Sequence, residues 1–165
     1  MKRRSVIAGL AGSAAACPLA ARAQQPAMPV IGFLHPASPE TNADRVRAFR
    51  QGLKDTGFIE SENVVIEYRW GEGQIDRLPG FAAELVRRQV AVIAAVGGDV
   101  PATAASHATK AIPIVFAVGE DPVRLGLVTS LARPAGNLTG INFLTAELAE
   151  KRLELLHDRR EHFRE

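Results

Sequence analysis

Cysteine is almost missing from this sequence: Cys17 is the single copy in 165 residues. From residue 18 onward a disulfide framework and a thiolate-held metal are therefore excluded. Also missing is any apolar run near the ~20 residues that span a bilayer. The stretch from Val6 to Ala16 falls well short and is interrupted by Gly9 and Gly12. Enzyme signatures are absent too: there is no GxSxG, no HExxH and no P-loop, and no GxGxxG follows the first apolar run in the body of the chain. Gly71-Glu72-Gly73 resembles half of that last pattern, but it follows a polar segment and reads as a loop. Nucleophile-elbow hydrolysis, zinc proteolysis and phosphate or dinucleotide chemistry thus lose their usual supports. The expectation is a non-enzyme with no cofactor, no catalytic residue and no metal ligand.

What the first residues contain is an export signal. Met1-Lys2-Arg3-Arg4 supplies a positive start, Val6 to Ala16 a short Gly/Ala-rich apolar run, and Ala21-Arg22-Ala23 a small-x-small cleavage site. Residues 1–23 are read as a signal peptide cleaved after Ala23, which places the protein outside the cytoplasm, in the periplasm. Arg3-Arg4-Ser5-Val6-Ile7 fits the twin-arginine pattern, and the general secretory route stays equally open. Cys17 could begin a lipoprotein, but Ala14-Ala15-Ala16 lacks the usual Leu and Pro18 follows, so an apolar filler is the better reading. Losing Lys2, Arg3, Arg4 and Arg22 with no acid takes the formal charge from +2 to −2. The basic whole-chain pI is therefore a property of the signal and no footprint of nucleic-acid binding.

The 142 residues after Ala23 are enough for one domain with a real core. Unalternating apolar runs recur at Val30 to Leu34, Val90 to Ala95 and Ile114 to Ala117, as in strands covered on both faces. Val64 to Tyr68 is a shorter fourth, and Leu138 to Phe143 a fifth. Between them Val46, Phe49 and Leu53 repeat at helical spacing, with Arg45, Arg47, Arg50 and Lys54 on the other faces and Gly57 at the end. Leu78, Phe81, Ala82 and Leu85 form a second helical face, Val100 to Ala108 an Ala-rich third, and Pro122 to Leu131 a fourth. Strand alternating with helix predicts an α/β doubly wound parallel sheet with right-handed crossovers.

In such sheets ligands gather beyond the carboxyl ends of the strands. Three loops qualify. After the first strand come His35, Ser38 and Thr41, whose imidazole and hydroxyls could meet a polar ligand or simply form a Pro/Ser turn that caps the next helix. Gly97-Gly98-Asp99 lets backbone approach a ligand, with Asp99 expected as helix cap, although a plain tight turn would use the same glycines. Gly119-Glu120-Asp121-Pro122 repeats the design; its paired acids are read as capping rather than acid/base chemistry, because neighbouring side chains rarely face one reacting atom. The candidate ligand-binding residues are thus His35, Ser38, Gly97, Gly98, Asp99, Gly119, Glu120 and Asp121. Tyr68 and Trp70 are read as packing residues, and His157 and His162 carry no metal signature.

Four stretches, RAQQPAMPVIGFLH, FRQGLKDTGFIESENVVIEYRWGEGQIDRLPGFAAELVRRQVAVIAA, IPIVFAVGEDPVRLGLVTSL and RPAGNLTGINFLTAELAEKRLELL, resemble the periplasmic substrate-binding proteins of ABC transporters. The similar subfamily is the one described as binding tryptophan or other aromatic amino acids. The resemblance implies the first lobe of a type I periplasmic-binding-protein fold, with residues 24–143 as an N-terminal α/β lobe. It further implies a small-molecule solute such as an amino acid, and ABC permease subunits of the inner membrane as partners. Residues 144–165 are expected to be a terminal helix and charged tail, where HDRREHFRE replaces the apolar pattern that should open a second lobe. That departure suggests a second lobe that is missing, and an alternative in which the chain is a truncated or frameshifted fragment with no binding of its own.

Overall fold

The unbroken apolar runs become neighbouring strands of one parallel sheet. In the computed structural model, which describes residues 28–134, 136–143 and 145–162, the chain order is β1 (Val30–His35), α1 (Ala43–Asp55), β2 (Val65–Trp70), α2 (Leu78–Arg87), β3 (Val92–Ala95), α3 (Asp99–Ala108), β4 (Ile114–Val118), β5 (Leu138–Asn142) and α4 (Thr145–His162). The strands lie in the order β2-β1-β3-β4-β5, and every pairing is parallel. The α/β doubly wound reading therefore holds. The expected signal peptide with Cys17, the expected cleavage site at Ala23 and the last three residues of the charged tail lie outside the described residues.

Successive side chains of a strand face opposite sides, so β1 feeds two cores at once. On one side Leu34 meets Leu78, Ala82 and Leu85 of α2, in a cluster that continues through Ala102 and Ala105 of α3 to Ile93, Ile114 and Phe116. On the other, Ile31 and Phe33 pack with Val46, Phe49 and Leu53 of α1 and with Ile66 of β2. The α1 face reads as the sequence pattern predicts, and its end is closed by Gly57 N–H on the Lys54 carbonyl (2.9 Å) and Phe58 N–H on the Leu53 carbonyl (2.9 Å). These two bonds satisfy carbonyls that the helix end would otherwise leave open. Burial on both faces does not extend across the sheet, since Val115 of β4 and Ile141 of β5 stay exposed opposite α3.

One expectation requires correction. No helix forms between Pro122 and Leu131; the segment is a pair of turns held by Leu125 N–H on the Asp121 carbonyl (3.0 Å) and Gly126 N–H on the Val123 carbonyl (3.0 Å). Gly126 takes a φ of +69°, outside the helical region, and redirects the chain so that Leu127 and Val128 enter the core. The last helix, α4, runs to His162, past the point where its apolar pattern stops, because Arg and Glu are good helix formers whatever they face. Leu148, Leu153, Leu155 and Leu156 of this helix are exposed.

Candidate functional site

The sheet reverses its winding between β1 and β3: from β1 the chain first steps to β2 on one side, then returns to place β3 on the other. Beyond the carboxyl ends of β1, β3 and β4 lies a cavity of about 600 Å³, at the position where open α/β sheets hold ligands. Its wall comes from Phe33 and His35 of β1, Val46 and Phe49 of α1, the Val96 to Gly98 turn, Ala117 to Gly119, and Phe143 just after β5. Asn42 and Arg45 supply the polar edge.

His35 is the fixed point of this site. Its ring is buried and packs on Trp70 with centroids 5.1 Å apart, while Phe33 beneath touches Phe49, Tyr68 and Trp70 at 5.2 to 5.3 Å. Tyr68 and Trp70 thus pack, as read from sequence. The Ala37 N–H donates to His35 Nδ1 at 3.0 Å. An acceptor at Nδ1 places the proton of the neutral imidazole on Nε2. Burial, and next the positive charge of Arg45, hold the His35 pKa below its ordinary value, which favours that neutral form.

The turn after His35 is fastened by its own side chains. The Ser38 carbonyl accepts from Thr41 Oγ1 (3.1 Å) and from Asn42 Nδ2 (3.1 Å), so neither hydroxyl caps α1; Asn42 occupies the cap position instead. Asn42 Oδ1 in turn accepts from Arg45 Nη1 at 2.9 Å, which holds the guanidinium at the cavity edge. Across the cavity Gly97 has φ +94°, and a Cβ placed there would sit 2.5 Å from His35 Nε2. The turn after β3 and the imidazole of β1 lie against each other because position 97 has no side chain.

Of the residues singled out from sequence, His35, Gly97, Gly98 and Gly119 line the cavity, while Ser38, Asp99, Glu120 and Asp121 are not among its lining residues. The cap expected of Asp99 is not made: Gly98 holds the cap position, and a side chain already inside the first helical turn is badly placed to reach the free amides. Asp99 Oδ1 is buried without a hydrogen-bond partner. Asp121 does bond backbone as expected, through Val123 N–H to Oδ1 at 2.8 Å, although a turn rather than a helix follows. Asn42, Arg45, Val46, Phe49 and Phe143 were not singled out as site residues. The signal was present in the spacing of Asn42, Arg45, Val46 and Phe49, which places one stripe of the first helical turns over the strand ends. Among the described residues no group of three or more His, Cys, Asp or Glu could hold a metal, and no helix is long and apolar enough to cross a membrane.

Residues 30–160 match the family of ABC transporter substrate binding proteins. The chain belongs to that family. A relative, the tyrosine-binding protein of Clostridioides difficile (strain R20291), is 32% identical over 110 residues, 67% of this chain and 31% of that protein. The ligand-free, open structure of a substrate binding protein with adhesive properties from Clostridium difficile aligns with a TM-score of 0.63 at 28% identity, covering 68% of this chain and 38% of that one. The ABC domain from Streptococcus pneumonia in complex with L-Trp aligns at 0.63 and 25% identity, covering 69% and 38%. A conserved domain protein from Vibrio cholerae aligns at 0.64 and 29% identity, covering 70% and 38%. The chain therefore spans about a third of the length of the relatives it matches. The family is one of transport components.

Proposed function

We propose that this chain is, or forms a lobe of, an extracytoplasmic solute-binding component of an ABC uptake transporter, and that the solute is a small molecule such as an amino acid. The observation that carries the reading is the cavity of about 600 Å³ at the switch point of the sheet, a size and place suited to a small organic ligand. Its wall of Phe33, Phe49 and Phe143 suits an aromatic or long aliphatic body, and the related proteins named above include one named for tyrosine and one solved with L-Trp. Family membership supports solute binding over an inert fragment. In this reading residues 24–143 are the N-terminal lobe, the chain catalyses nothing, and the loaded protein is received by permease subunits of the inner membrane. The ligand is met by His35, Gly97, Gly98 and Gly119, with the neighbouring loop residues Ser38, Asp99, Glu120 and Asp121 around them.

Export follows from residues 1–23, read as a signal cleaved after Ala23 and carried by the Sec or twin-arginine route. One preparation tests both halves of the proposal. Protein recovered from outside the cytoplasm should begin at Gln24 by mass spectrometry, and calorimetric titration of it with L-tyrosine and L-tryptophan should give saturable binding of at least one. Recovery from the cytoplasm with Met1 retained would contradict the location. Absence of saturable heat with both amino acids would contradict the choice of solute.

A further inference from the structure

The cavity has a chemical polarity that the family alone does not supply. Its lining residues include two nitrogen bases, His35 and Arg45, and, among the described residues, no aspartate or glutamate. Arg45 forms no ion pair among the described residues, unlike Arg47, Arg50, Arg69 and Arg88, each of which sits on a carboxylate. Its hydrogen bond goes to the neutral Asn42 Oδ1, which orients the guanidinium without neutralising it. His35 accepts from Ala37 N–H through Nδ1, so its remaining nitrogen carries a proton and is a donor. That nitrogen lies against Gly97 at the cavity wall. The polar side chains at this edge therefore offer donors and positive charge, and the wall opposite is apolar.

We infer that the cavity reads the carboxylate of its solute, gripped by the Arg45 guanidinium and the His35 Nε2–H, and that no acidic side chain of this wall reads an amino group. The inference rests on the proposed solute-binding role of the same cavity. A carboxylate suits the pair because a planar guanidinium fork matches two carboxylate oxygens and charge-assisted hydrogen bonds are the strong ones. A dianion such as phosphate would need more donors than one fork and one imidazole supply. Asn42 acts here as a positioning residue, since it touches Arg45 and not the solute.

The test is calorimetric titration of the full chain with L-tyrosine, L-tryptophan, 3-(4-hydroxyphenyl)propionate, tyramine and inorganic phosphate. The propionate, which keeps the carboxylate and lacks the amine, should bind within about tenfold of L-tyrosine, and tyramine should bind at least roughly a hundredfold more weakly. Arg45→Gln should weaken the propionate by tenfold or more, and Arg45→Lys should recover part of that loss. Arg45 is exposed, so both variants should keep the urea midpoint of the parent chain. Tyramine binding as tightly as the propionate, phosphate competing equally with it, or Arg45→Gln leaving the propionate unaffected would each overturn the carboxylate grip. Binding of the propionate without either amino acid would uphold the grip and overturn the amino-acid reading. Binding of none of the five would overturn both.

Discussion

Alanine at position 97 is expected to weaken solute binding by tenfold or more. Two separate costs meet at that residue. The backbone has φ +94°, a conformation that costs an L-residue roughly 1–2 kcal/mol. The new Cβ would lie 2.5 Å from His35 Nε2 and 2.8 Å from Pro36 Cδ, closer than atoms can stay. The His35 ring has no easy retreat, being packed at a tilt against Trp70 and tethered at Nδ1 by the Ala37 N–H. The imidazole must tilt, and with it the Nε2–H to which the proposal assigns the solute carboxylate. Gly57→Ala separates the two costs, because Gly57 has φ +89° with nothing within 4 Å of its added Cβ and lies away from the cavity. That variant should lose stability in urea by the φ cost alone, roughly 1–2 kcal/mol, and bind as the parent does. Equal binding by Gly97→Ala and the parent would show that the Gly97 and His35 contact does not shape the site.

The largest loss of stability is expected from Leu34→Ala. Leu34 is fully buried on the strand that pairs with both β2 and β3, and its side chain lies in the larger core with Leu78 and Leu85. Truncation removes buried methyl groups and leaves a hole that two helices and three strands cannot all close. The cost is about 2–5 kcal/mol, a large part of the roughly 5–15 kcal/mol that holds a domain together. Urea denaturation followed by far-ultraviolet circular dichroism measures it directly. A loss below about 1 kcal/mol would mean that this core is loosely packed and that the sheet is held chiefly from elsewhere.

The sheet was legible because its strands are unbroken apolar runs and its helices carry one apolar stripe each, patterns that tertiary packing reinforces. Pro122 to Leu131 misled because Asp121 and Pro122 are good helix openers, while a single glycine at position 126 decides the outcome after one turn. The strand-end glycines were legible as loops, since such positions follow from topology. Which side chains those loops gather was less so. Arg45 belongs to a helix whose charged residues all read as solvent-facing, and only the bend fastened by Ser38, Thr41 and Asn42 brings it to the cavity edge. Asp99 failed as a cap for a local reason, one residue of helix phase: Gly98 took the cap position. Site chemistry thus depended on short-range geometry that periodicity does not encode.

The central claim is that a small solute sits beyond the carboxyl ends of β1, β3 and β4. Amide chemical-shift mapping of the isotope-labelled chain, titrated with L-tyrosine and then with L-tryptophan, tests it most directly. The account predicts that the largest shifts fall on Ala37, Gly97, Gly98 and Gly119, while Lys54 and Glu84 on the helix faces stay in place. Saturable shifts confined to the separate hollow formed by Pro39, Arg50, Tyr68 and Trp70, or the same small shifts spread over the helix faces, would contradict it.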